Sequence, residues 1–230
     1  DNSWRATLLV WSLPALLVAA TLFLPKRDMA RPVRRAAWLP DWKNPLTLRI
    51  GLLLGLSGSM FFGLNAYMGN LLEQQGKISM LSEALFWYNI AQVFASLVVL
   101  KMARRWVGSR TTIVITAALS ILGTTGTVFL EGWWFIASAT VMSFVAGILL
   151  ILLVALPPLL VSSAETGRLS AGTFLVGYTM GFCVPMLGGL IADTTGDPRH
   201  AIITMIAYSV LVLPLAFTLD LERKKDQPES

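Results

Sequence analysis

The sequence predicts an all-α integral membrane protein with seven transmembrane helices, and three observations carry that expectation. Apolar runs of about 20 residues, long enough to cross hydrocarbon as a helix, recur from end to end. Hydrophobic residues make up 55% of the chain and charged ones only 13%, with mean hydropathy +0.68; a usual soluble domain is about 25% charged. Gly and Ser fall irregularly within the runs, without the strict alternation of a membrane barrel, and lipid admits only helices or closed barrels.

Span one, Arg5–Leu24, follows Asp1-Asn2-Ser3-Trp4-Arg5, which is not the basic start of a signal peptide, and no small-residue cleavage site comes after it. The chain has no initiator Met and opens at the edge of this helix, so a piece of a longer protein is expected. Span two, Leu46–Leu72, carries Gly51-x-x-x-Gly55, then Gly58 and Gly63. Span three is Glu83–Ala103 and span four Thr111–Leu130. Span five, Trp133–Val161, meets Pro157-Pro158 at its end. Span six, Ser170–Ala192, carries Gly177-x-x-x-Gly181, Gly188-Gly189 and Pro185. Span seven, Ala201–Leu219, contains Pro214. Proline removes a helical hydrogen bond, so Pro185 and Pro214 are expected kinks. Small residues four apart let helices approach closely in lipid, as static packing or as bending and sliding surfaces.

Threading these spans sorts the charge. Lys26, Arg27, Arg31, Arg34, Arg35, Lys43 and Arg49, then Lys101, Arg104, Arg105 and Arg110, then Arg168, then Arg223, Lys224 and Lys225 fall on one side: fifteen of eighteen Lys and Arg. Arg5, Lys77 and Arg199 fall on the other, with Asp1, Glu73, Glu83, Glu131, Asp193 and Asp197. Basic links stay in the cytoplasm, so the chain is expected to begin outside and end inside. Trp4, Trp38, Trp42, Trp106, Trp133 and Trp134 sit at span ends, where indole favours the interface. The net charge of +5 is accounted for by these links, so no nucleic acid is expected; the bilayer is the partner. Residues 25–45, with Pro25, Pro32, Pro40 and Pro45, read as a basic cytoplasmic strap, either lying on anionic lipid or plainly solvated. Residues 220–230 read as a cytoplasmic tail.

The spans themselves carry no Asp, Glu, Lys, Arg or His near mid-depth, hence no obvious proton relay or charged ion site. His200 is the one histidine and Cys183 the one cysteine, so no metal site, internal disulfide or cofactor is expected. What polarity there is lies in Asn65, Tyr67 and Asn70 of span two, Trp87, Tyr88, Asn89 and Gln92 of span three, Ser138, Thr140 and Ser143 of span five, and Tyr178 and Thr179 of span six. A buried amide or phenol needs a partner in hydrocarbon. Singly these groups are as well explained by bonds to neighbouring helices; as a set they mark a cavity lined by spans two, three, five and six. Asn65, Tyr67, Trp87, Tyr88, Gln92, Ser143 and Tyr178 are the candidate substrate contacts, and Gly177, Gly181 and Pro185 the candidate hinge.

One apolar span, a long basic link and three helix pairs resemble the C-terminal half of a major facilitator superfamily transporter. Two local stretches add to this. Arg104-Arg105-Trp106-Val107-Gly108-Ser109-Arg110 resembles the second copy of the superfamily's cytoplasmic loop motif, though no acid is present. Gly181 to Gly196, with Pro185, Gly188-Gly189 and Asp193-Thr194-Thr195-Gly196, is similar to the eleventh helix of cyanate and nitroimidazole permease-like members, with Val184 where they carry glycine; Tyr67 sits where that subfamily often has an aromatic. The resemblance implies that span one is the last helix of an N-terminal half whose remainder is a missing partner. Residues 46–219 would be a six-helix C-terminal half. The function implied is alternating-access transport of a small solute, such as a small organic or inorganic anion, across a bacterial inner membrane. A seven-helix receptor shares the topology but would need, for retinal, a lysine in span seven, or an acid-Arg-aromatic switch after span three; neither is present. A membrane-embedded enzyme would need paired intramembrane acids or a His/Asp pair, so no enzyme is expected.

Overall fold

The computed structural model describes residues 4–20, 39–40, 42, 44–219 and 221. The chain divides into two compact units, Asp1–Arg35 and Ala36–Ser230. In the first, α1 (Trp4–Ala20) runs for 17 residues with Pro14 inside it. Residues 21–24 of span one, most of the 25–45 link, the tail beyond Leu221, and the side chains of Trp4, Arg5 and Trp38 lie outside the described residues.

The second unit is helical throughout its described residues: α2 (Pro45–Gln74), a 3-10 turn (Ile78–Met80), α3 (Leu81–Trp106), α4 (Arg110–Phe129), α5 (Trp133–Val154), the single turn α6 (Pro157–Leu160), α7 (Ser163–Thr195), α8 (Arg199–Val212) and a 3-10 segment (Leu213–Thr218). Among the described residues, six helices, α8 counted with its 3-10 extension, are long and apolar enough to cross a membrane. This is the architecture of a multi-pass membrane protein.

Local chemistry sets the helix ends. The Asn44 side chain accepts from the Leu46 amide at 2.9 Å and Pro45 opens α2, where a missing N–H costs nothing. Ser109 accepts from the Thr112 amide at 3.3 Å to start α4. Gly196, at φ 71°, closes α7 in the left-handed conformation, its N–H on the Ala192 carbonyl at 2.8 Å.

The predicted boundaries need three corrections. Span five stops at Val154, not Val161: Pro157 and Pro158 cannot donate to the preceding turn and instead begin α6. Span six starts at Ser163 rather than Ser170 and reaches Thr195. Ser162 and Glu165 provide a polar start, Ser162 Oγ donating to Glu165 Oε2 at 3.3 Å, and apolar windows overlook such a turn. Span seven changes from α to 3-10 at Leu213, with Pro214 at the change. Pro185, by contrast, does not end the helix: α7 runs continuously through it.

α2 and α5 are the most enclosed spans and α3 the least. α2 packs most extensively on α7, α5 on α4 and α3. The α2–α7 seam is close because its glycines receive side chains of the other helix. A Cβ at Gly177 would lie 2.6 Å from Leu54 Cδ2, and one at Gly55 2.6 Å from Met180 Cβ. In lipid such packing, not water exclusion, holds helices together. A hydroxyl or amide also ties most neighbouring pairs to a backbone carbonyl: Ser57 Oγ to Ala146 (2.8 Å), Tyr208 OH to Leu52 (2.9 Å), Tyr67 OH to Pro185 (3.1 Å) and Ser138 Oγ to Gly123 (2.9 Å). Each is worth about 0.6 kcal/mol in a membrane.

The two ends of the bundle differ in charge, as threaded. Among the described residues of this unit, Arg49, Lys101, Arg104, Arg105, Arg110 and Arg168 lie at one end, with Lys77 and Arg199 at the other beside Glu73, Glu83, Glu131, Asp193 and Asp197. At the basic end Arg49 donates to the Thr218 carbonyl (3.1 Å), Arg110 to Leu219 (2.5 Å) and Arg168 to Leu39 (2.6 Å). At the acidic end Lys77 pairs with Glu131 at 2.8 Å, and Gln74 donates to Asp197 at 3.1 Å.

Candidate functional site

The α2, α3, α5 and α7 helices each give their middle turns to one cavity. Its wall is made by Leu54, Ser57, Gly58, Phe61 and Phe62 of α2, Gln92 of α3, Ala146, Gly147 and Leu150 of α5, and Gly177, Tyr178 and Gly181 of α7. It leaves about 90 Å³ for the centre of a water-sized sphere, enough for a small solute or several waters, and it is open on one side. Among the described residues, no charged side chain lines it.

Glycines make the space. At the height of Gly58 and Gly181 the α2 and α7 backbones face each other with nothing between; a Cβ on Gly181 would come no nearer than 3.6 Å to Gly58. One turn away, Gly177 is filled by Leu54. Gly147 lies under the Gln92 amide, where a Cβ would sit 2.6 Å from Oε1.

Gln92 is held in one orientation. Its Nε2 donates to the Ser143 carbonyl at 2.6 Å and to Ser143 Oγ at 3.1 Å. Ser143 Oγ in turn donates to the Tyr88 carbonyl at 2.6 Å. A carbonyl cannot donate, so the amide nitrogen must face Ser143 and Oε1 is left as an acceptor without a partner among the described residues. Tyr178 is 60% exposed, stacks on Phe174 at 5.8 Å and contributes to the cavity wall, and its hydroxyl makes no bond to any described residue.

The other candidates lie elsewhere. Tyr88 is fully buried, stacked on Phe61 at 5.2 Å, and its hydroxyl donates to the Phe61 carbonyl at 2.8 Å, so it supports the wall from behind. Ser143, also fully buried, positions Gln92 rather than lining the space. Trp87 faces a separate apolar groove with Ile90, Phe94, Val141 and Phe144. Tyr67 spans α2 and α7 nearer the acidic end, above Gly189, and Pro185 accepts its hydrogen bond there. Asn65 is half-buried one turn from Phe61 and outside the cavity wall. Asn89 and Thr140 spend their donors on their own helices, on Leu85 and Ile136. The cavity is therefore lined from the four helices that the polar residues marked, yet it is far less polar than their number implies.

Sequence reasoning passed over Leu54, Ser57, Phe61, Phe62, Ala146, Gly147 and Leu150. Apolar side chains in an apolar span carry no signal. The one legible cue was size, with Gly58 and Gly147 near mid-span. No protein-family model matches the chain, and no curated protein is significantly similar to it.

Proposed function

We propose that this chain is the C-terminal half of a secondary transporter that resembles the major facilitator superfamily, preceded by the last helix of the other half. It would carry a small solute across the cytoplasmic membrane by alternating access. The observation that supports this best is the position of the cavity: its wall residues on α2, α3 and α7 come from the middle third or so of those helices, with Ala146, Gly147 and Leu150 of α5 beside them, and transporter sites lie near mid-depth between two halves. A six-span unit with α1 in a separate unit agrees with this reading. The positive-inside rule puts the basic end in the cytoplasm, so the chain starts outside and ends inside. Gln92 and Tyr178 are the substrate contacts of this half. Gly177, Gly181 and Pro185 form its flexible element, because Pro185 leaves the Gly181 carbonyl without its usual donor one turn on. The reading assigns no catalytic residue, cofactor or metal.

Uptake and efflux of a solute panel in cells making the protein from its full coding sequence is the test. Gln92→Ala and Tyr178→Phe should each lower apparent affinity or rate by about 3- to 10-fold, the worth of one or two neutral hydrogen bonds. Wild-type affinity and rate in both would remove the cavity from the transport path.

A further inference from the structure

The charge and hydrogen-bond character of the wall bear on what it takes, an inference that rests on the transporter reading above. We infer that the cavity receives an uncharged, flat, hydrogen-bond-donating solute, and that Gln92 Oε1 is the atom that selects it. Both amide hydrogens of Gln92 are spent on Ser143, and Ser143 Oγ is itself committed to the Tyr88 carbonyl. The amide therefore cannot turn to present N–H groups without abandoning two bonds, so this side of the cavity offers lone pairs. A carboxylate or nitrate placed against Oε1 would be repelled, and no Lys, Arg or His among the described wall residues compensates it. A cation would meet the same acceptor but no carboxylate, and burying either charge in this depth of lipid is costly. Phe61, Phe62 and Tyr178 give the cavity aromatic surface, Gly58 and Gly181 keep the wall beside it free of side chains, and Gly147 makes room for the Gln92 amide. The Tyr178 hydroxyl can donate or accept, and the residue is largely exposed. A planar amide, with N–H for Oε1 and a carbonyl for Tyr178, fits this set, in place of the anion expected from the sequence.

Three probes of one ring and three charges test it: benzamide, benzoate and benzylammonium, near neutral pH. Binding to the purified protein from the full coding sequence, in nanodiscs, should rank benzamide first. Gln92→Leu should weaken benzamide by about 5- to 10-fold, the loss of one neutral hydrogen bond. Gly181→Ala, which has space for its methyl group, should weaken it through lost volume. Benzoate or benzylammonium binding as well as benzamide overturns the inference. So does failure of benzamide to bind the folded wild-type protein, or equal binding by Gln92→Leu and Gly181→Ala when both elute as monodisperse as wild type. Flux in proteoliposomes separates the two readings. Benzamide bound but never moved counts against transport and leaves the cavity chemistry standing; benzoate moved in preference counts against the cavity chemistry and leaves transport standing.

Discussion

Gly177 and Gly181 sit one turn apart on α7 and do different things. Gly177 is a hole filled by Leu54, so a methyl group there must push a packed side chain aside. Overpacking of this kind costs about 1–3 kcal/mol. Gly181 faces the Gly58 backbone, and its Cβ would make only ordinary contacts there. Alanine there also favours the helix by up to about 1 kcal/mol. Thermal unfolding in detergent should thus place Gly177→Ala below wild type and Gly181→Ala level with it or above. The reverse order would mean that the α2–α7 seam is packed differently. The Gly-x-x-x-Gly pattern was plain in the sequence, but it announced only that a helix could come close. Which glycine is filled and which is left open depends on Leu54 and Gly58 of another helix.

The last span ends in a 3-10 segment, and its carbonyls are held from outside it. Arg49, near the start of α2, and Arg110, at the start of α4, donate to the Thr218 and Leu219 carbonyls. Cations at the carbonyl end of a helix satisfy acceptors that have no partner of their own and suit its dipole. Pro214, which cannot donate to the preceding turn, leaves this segment weaker than the α8 turns before it. Arg110→Ala should therefore raise amide exchange in residues 215–219 by about 10-fold or more, given about 1.5–3 kcal/mol for a bond to a charged group, with α8 residues 201–209 unchanged. Exchange measured by mass spectrometry decides it, and uniform acceleration along α8 would mean the contact steadies the whole helix. The charge pattern read these arginines as topology markers only; that two of them also cap the final span follows from which helix ends meet.

At the scale of the molecule, the bundle is fastened differently at its two ends. The acidic end relies on Lys77–Glu131 and on Asp197, which accepts from the Arg199 amide at 2.8 Å and from Gln74. The hydrogen bond and charge of Lys77 hold the Glu131 carboxyl below its usual range, and the Arg199 amide, then Gln74, do the same for Asp197. A carboxyl lowered in the folded state contributes its stability above the ordinary carboxylate range and loses it as pH falls through the lowered value. Both groups are exposed, so the effect is small and screened by salt. Amide exchange in residues 75–80 and 197–201, corrected for intrinsic rates, should be flat from pH 7 to about 5 and rise below about 4. Glu131→Gln should blunt that rise; an unchanged profile would assign it to other groups. Orientation is separately testable with an impermeant thiol reagent on intact cells, in a Cys183→Ser background. Thr194→Cys should label from outside and Ser109→Cys only after permeabilisation; the opposite result would invert the proposed topology.

Taken alone, the sequence determined six of the seven apolar spans it proposed and the segregation of Arg49, Arg110 and Arg168 from Glu131 and Asp197. These are one-dimensional properties: a run long enough for hydrocarbon, and a charge that must stay out of it. It also reached the four helices around the cavity, because amides and phenols are conspicuous where everything else is apolar. Only the tertiary structure decided which polar groups remain available. Tyr88, Ser143 and Tyr67 each find a backbone carbonyl on another helix, at 2.8, 2.6 and 3.1 Å, and so become parts of the frame. Gln92 keeps one free oxygen because Ser143 takes both of its hydrogens and Gly147 leaves it room. A hydrogen bond between helices depends on the rotation and height of both, and neither quantity is written in the periodicity of either strand of sequence.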